Sequence, residues 1–189
     1  MRERPDRRVV RNRSALMAAA VRLVSERGTT AVPAGDLADA AQVSRQLVYL
    51  QFGDRDALLV AAAHELVRSE LIPVLADGER PLRERALATA RHFAGHRPFY
   101  RAMLVGSCSF AMTRALNRAL GSLVTPAGLR AAFGDLPAAT AGDVVTAVTA
   151  GAAAIVNDWI VEGDDPLDPR ELTGRLAALA VVLRGRDLP

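Results

Sequence analysis

The sequence predicts an all-α protein, and three observations carry the prediction. Apolar residues recur with a helical period along nearly the whole chain, with no sustained apolar–polar alternation between hairpin turns. Proline and glycine punctuate the chain at helix-sized intervals. Alanine, the residue with the highest helix propensity, occurs 36 times in 189 residues, whereas aromatics make up 4%. Ala, Val and Leu must therefore build most of the core.

Each element follows from its pattern. A first helix is expected over residues 8–27, with Leu16, Ala20, Leu23 and Val24 on one stripe and Gly28 as its stop. A short second helix spans 33–41, with Pro33 in its first turn, where a missing N–H costs nothing. Ser44 caps a third helix ending near Phe52, and a fourth starts after Gly53-Asp54 and runs to about Leu75. Further helices are expected over 81–95, from Pro98, over 109–124, after Pro126 and over 141–162. The last helix has Asp168 as cap, Pro169 at N1 and Glu171 at N3, the stripe Leu172, Leu176, Leu179 and Leu183, and Gly185 as its stop. Three short helices before a longer helical body place a boundary after residue 53, giving domains 1–53 and 54–189.

Composition removes several chemistries. All 24 basic residues are arginine. Without lysine there is no Schiff-base chemistry and no Lys-dependent phosphate loop, and no two glycines stand two apart, so G-x-G-x-x-G is absent. Cys108 is the only cysteine, which excludes an intrachain disulfide and a cysteine-based zinc site. His92 and His96 are four apart and could share a helix face, but with no third ligand in reach they make a weak metal signal, and His64-Glu65 starts an H-E-x-x-H pattern that fails at Arg68. No nucleophile–base arrangement stands out. The expectation is a non-enzyme with no cofactor and no metal. The longest uncharged run, Val144 to Asn157, has 14 residues, short of the roughly 20 of a membrane span. Residues 1–13 carry six arginines and no apolar core of a secretion signal. A cytoplasmic protein with no membrane contact is expected.

Charge is unevenly placed. Residues 1–60 hold ten arginines against seven acidic residues, whereas 61–189 hold fourteen of each. Positive charge at one end suggests a polyanion there, or simply a solvated arm. Residues 34–52 read as helix, tight turn, helix. Leu37, Ala38 and Ala41 pack inward, Val43 plugs the turn, and Leu47 or Val48 joins Tyr49 and Phe52 on the second helix. Small residues at 38 and 41 permit the steep crossing that a helix-turn-helix needs to push its second helix into a major groove. Ser44 would cap that helix and set its free N–H groups near a phosphate.

From Arg13 to Leu59 the chain resembles the tetracycline-repressor (TetR) family of bacterial transcriptional regulators. The residues that carry the resemblance are Arg13, Leu16, Ala19-Ala20, Leu23, Gly28, Leu37-Ala38, Ala41, Val43-Ser44, Tyr49, Phe52, Arg55 and Ala57-Leu58-Leu59. It implies a three-helix DNA-binding head followed by a helical ligand-binding and dimerisation body. It further implies phosphate contacts at Ser44, Tyr49 and Arg55, and base-edge contacts at Arg45, Gln46 and Leu47. Arg pairs naturally with guanine and Gln with adenine. Gln51 would touch backbone or base, and the basic arm with Arg7, Arg8, Arg11 and Arg13 would follow the duplex or enter its minor groove. Four positions depart from the family pattern. Gln42 replaces a turn glycine, Val32-Pro33 replaces a Thr-rich cap, Gly35 stands where a polar residue often meets phosphate, and Val48 replaces Leu.

The resemblance implies a homodimer on a pseudo-palindromic double-stranded DNA operator, a repressor released by a small apolar or amphipathic effector. The dimer would use the small-residue face Ala147, Ala150, Gly151 and Ala154 with the stripe Leu172, Leu176, Leu179 and Leu183, which intrachain packing would equally explain. Phe93, Phe99, Tyr100, Met103, Cys108, Phe110, Met112 and Trp159 gather the body's soft and aromatic side chains, as an adaptable pocket or as ordinary core. The alternative function is a ligand-binding or interaction protein on the same scaffold with a weakened DNA head.

Overall fold

The structure is a computed structural model that describes residues 7–121 and 126–183. Among these residues every regular element is helical: α1 (Arg7–Arg27), α2 (Ala34–Ala40), α3 (Arg45–Phe52), α4 (Arg55–Leu66), a π-helical turn (Val67–Leu71), α5 (Ile72–Leu75), α6 (Leu82–Gly95), α7 (Arg97–Val105), α8 (Ser109–Gly121), α9 (Pro126–Phe133), α10 (Ala138–Glu162) and α11 (Pro169–Leu183). The all-α class holds. The expected continuation of α8 to Val124, the Gly185 stop and the arm before Arg7 lie outside the described residues.

The chain forms two compact units. The first comprises residues 1–66 and 96–112, the second residues 67–95 and 113–189. In the first unit α1 packs on α2, α4 and α7, and α3 packs on α2 and α4. α1 buries Leu16, Ala19, Ala20, Leu23 and Val24, the i, i+3, i+4, i+7, i+8 stripe of an amphipathic helix. Against it lie buried Leu37 and Ala38 of α2, Leu58, Leu59, Ala62 and Ala63 of α4, and Phe99, Tyr100 and Met103 of α7. Gly28 ends α1 at φ +63°, where a side chain would be strained, and its N–H bonds the Val24 carbonyl. Gly106 ends α7 so close to the buried Thr30 that a Cβ there would overlap the threonine hydroxyl.

In the second unit α11 packs along α6 and α10. Leu71, Ala90, Phe93, Val156, Trp159, Ile160 and Leu172 are buried. Asp168 caps α11 as its sequence predicts, its Oδ1 accepting the Arg170 N–H at 2.9 Å. Glu171 does not reach back to close a capping box; its carboxylate accepts the Trp159 indole N–H at 3.2 Å. Arg175 bridges the helices through Asp158 at 3.0 Å, and buried His92 meets Glu70 at 3.1 Å.

Two local expectations need correction. The segment read as one helix from after Asp54 to about 75 is broken by the π-helical turn, just before Pro73, whose absent N–H cannot continue the α ladder. Pro33 is the N-cap of α2 (φ −60°, ψ 144°) rather than a first-turn residue, and no side chain caps that helix. The basic residues Arg7, Arg8, Arg11 and Arg13 lie on the first two turns of α1, the helix expected from residue 8.

Candidate nucleic-acid interface

The turn between α2 and α3 fixes the presentation of α3. Ala41 stays right-handed, and Gln42 takes φ +57°, the left-handed conformation expected where a glycine is usual. The Gln42 N–H bonds the Asp39 carbonyl and the Val43 N–H bonds the Ala38 carbonyl, both at 3.0 Å. Val43 is half-buried as the plug of the turn.

α3 is held by one fully buried residue. Val48 is 0% exposed, whereas Tyr49 is 44% and Leu50 80% exposed. Leu47 and Phe52 are half-buried. Val48 is thus the anchor, and Tyr49, expected to help pack, faces out. Arg45, Gln46, Tyr49 and Leu50 stand at i, i+1, i+4 and i+5, one exposed face of the helix. Ser44 precedes it in an extended conformation (ψ 146°) and is exposed. Its hydroxyl makes no capping bond, contrary to expectation. The Leu47 N–H instead bonds the Ser44 carbonyl at 2.9 Å, and the hydroxyl is left toward solvent.

Two expected contact residues are joined. The Arg45 Nη2 donates to the Tyr49 hydroxyl at 3.1 Å, with its guanidinium 5.7 Å from the ring centroid. A tyrosine hydroxyl that accepts from arginine still has its own O–H to donate, and a phosphate oxygen is a suitable acceptor. Leu50 was not singled out by sequence. Its position, four and five residues after Gln46 and Arg45, was the available signal, and an exposed apolar side chain there suits a thymine methyl.

Other expected residues are engaged within the chain. Arg13 stacks 4.2 Å over Phe52 and its Nη1 donates to the Gln51 carbonyl at 3.0 Å, tying α1 to the end of α3. Gln51 is half-buried and its Oε1 is shielded without a hydrogen-bond partner. Arg7, Arg8 and Arg11 are exposed on α1. Arg55 folds onto the next residue, its Nε and Nη2 both 2.7 Å from Asp56 Oδ1. Burial would raise the Asp56 carboxyl, but hydrogen bonds from Ser107 and Arg55, the Arg55 charge and the Cys108 thiol together hold it below the usual value. Burial, helped by the Asp56 charge, pushes the Cys108 thiol up. Such a thiol stays protonated near neutral pH and is a poor nucleophile.

The soft and aromatic residues divide between the units. Phe99, Tyr100 and Met103 are buried together on α7, with Cys108 and Met112 also buried in the first unit. Phe93 and Trp159 are buried in the second. Phe110 is 73% exposed and lines no interior. Ala147, Gly151 and Ala154 are exposed along α10. Leu176, Leu179 and Leu183 of α11 are half-buried, and Leu172 is completely buried within its own chain. α10 has the length and composition to cross a membrane: its most apolar 18-residue window has mean hydropathy 1.6 and is 17% buried.

Residues 16–62 match the family described as bacterial regulatory proteins, tetR family. No curated protein matches the sequence. Many solved structures share the fold, three of them as follows. The dihydroxyacetone kinase operon activator DhaS superposes with a TM-score of 0.63 at 14% identity, covering 92% of this chain and 96% of its own. A tetR-family transcriptional regulator from Streptomyces coelicolor gives 0.63 at 23% identity, over 90% and 81%. The TetR family repressor AlkX from Dietzia sp. gives 0.55 at 22% identity, over 98% of each.

Proposed function

We propose that this chain, a member of the tetR family of bacterial regulatory proteins, acts in the cytoplasm as a homodimeric repressor that a small apolar or amphipathic ligand releases from a pseudo-palindromic operator. The observation that carries the DNA contact is the α3 face: Arg45, Gln46, Tyr49 and Leu50 project from a helix anchored by Val48. Arg45 and Gln46 would meet base edges, while Ser44 and Tyr49 would hold phosphates. In this reading residues 1–53 bind DNA and 54–189 bind ligand and dimerise.

The uncovered α10 face supports the dimer. Ala147, Gly151 and Ala154 allow close approach of a second helix, and two-fold pairing sets the heads roughly one helical turn apart on DNA. Leu172, buried in its own chain, is not part of that surface. Ligand and DNA then oppose each other by a coupling of roughly 1–3 kcal/mol. The test is fluorescence anisotropy with fragments flanking the chain's own gene. Salt-sensitive binding is expected. Tyr49→Phe should weaken all sites alike, and Arg45→Ala should cost about 1–3 kcal/mol of discrimination at one base pair. Absence of salt-sensitive binding to every such fragment would overturn the DNA reading. The strained Gln42 turn and the Arg55–Asp56 pairing favour a second reading in that event, a ligand-binding protein with a weakened head.

A further inference from the structure

The second unit carries a groove of about 590 Å³ between α6 and α11. Arg83, Leu87 and Arg91 line it from α6 at i, i+4 and i+8, one stripe of that helix. Arg170, Gly174 and Ala177 line it from α11 at i, i+4 and i+7, with Pro169 and Thr173 beside them. This stripe differs from the one that faces α10, where Arg175 bonds Asp158. The groove is therefore separate from the small-residue face of α10.

Among the described residues several surface arginines pair with a carboxylate. Arg22 pairs with Glu26, Arg27 with Asp36, Arg80 with Asp77 and Arg175 with Asp158. Among the described residues no carboxylate pairs with Arg83, Arg91 or Arg170. Two acids also line the groove, Glu84 and Asp168, and Asp168 is already engaged in capping α11. Three guanidiniums against two carboxylates leave one net positive charge in the lining. Leu87, Ala177 and Pro169 supply apolar wall between the charged ends.

We propose that this groove binds a small organic anion, a carboxylate or phosphate head on a short apolar stem. The planar guanidinium fork matches either oxyanion bidentately, and the groove's size falls within the range of small-molecule sites. The stem lies along Leu87 and Ala177 while the head takes two or more of the arginines. The site goes beyond the regulator reading and stands whether or not α3 binds DNA.

Titration calorimetry of the full chain at low salt tests it with hexyl phosphate, hexanoate, 1-hexanol and inorganic phosphate. Saturable binding of one hexyl phosphate or hexanoate per chain is expected, with the preferred head group identified by the tighter of the two. Arg91→Ala and Arg170→Ala should each weaken it about tenfold, the effect of losing one charge-assisted hydrogen bond. Arg80→Ala, outside the groove, should leave it unchanged, and added salt should weaken it. Equal binding of 1-hexanol would overturn the charge assignment, and equal binding of inorganic phosphate the apolar stem. Absence of saturable anion binding, or wild-type affinity in both arginine variants, would overturn the site itself.

Discussion

α1 and α10 are the two longest helices, and they treat their apolar residues in opposite ways. α1 is the more polar, yet its stripe from Leu16 to Val24 is buried by its own chain. α10 is apolar along most of its length, yet it buries only Val156, Trp159 and Ile160, all in its last two turns. Apolar content did not decide burial. The period did: α1 concentrates its apolar residues on a face that α2, α4 and α7 cover. α10 spreads small apolar residues around its circumference, and one chain leaves the Ala147–Gly151–Ala154 side open. A self-sufficient helix and a partner-seeking helix thus have different sequence signatures.

The contrast can be broken most directly at Leu16. Leu16→Ala removes a fully buried side chain from a closed core and should cost about 2–5 kcal/mol, read by denaturant unfolding. A loss below 1 kcal/mol would mean that α1 is not the tightly packed helix described. On α10 the expected outcome is different in kind. Gly151 has nothing within 4 Å of a built Cβ, so Gly151→Leu should fit the single chain. At a close helix–helix contact it would clash, weakening the dimer by roughly a hundredfold in sedimentation at unchanged helicity. An unaltered dimer would move the interface off this face.

Smaller effects sharpen the picture of the first unit. Gln42 is the one described non-glycine residue at positive φ, and Gln42→Gly should stabilise by up to about 1 kcal/mol. Asp56, on α4, has its carboxyl held down in the folded chain, so its contribution is present above about pH 3.9 and is lost as pH falls through the lower folded value. Acid titration of Asp56→Asn against wild type should show a stability difference at neutral pH that closes below pH 4. A gap that widened toward acid would reverse the assigned sign.

Much of the local structure was legible because its signals are local. The Leu16–Val24 stripe, the Gly28 stop, the left-handed turn at Gln42 and the Asp168 cap all depend on residues within one or two helical turns. The outward face of α3 was partly legible. Its spacing placed Arg45 and Gln46, but which of Leu47, Val48 and Tyr49 turned inward depended on how α2 and α4 meet α3. Arg13 and Arg55 read as free cations, yet Phe52 and Asp56 engage them. Phe110 read as interior because it is aromatic, and the fold leaves it exposed.

The sequence by itself determined the helical class, many of the helix boundaries to within a few residues, and the helix-turn-helix with its basic N-terminal side, because period, caps and breakers act over a few residues. Only the tertiary structure decided that Val48 anchors α3, that α10 keeps an uncovered face, and that Arg83, Arg91 and Arg170 share one groove. Those facts depend on which helix faces meet across long stretches of chain, and side-chain type alone does not encode the packing partner.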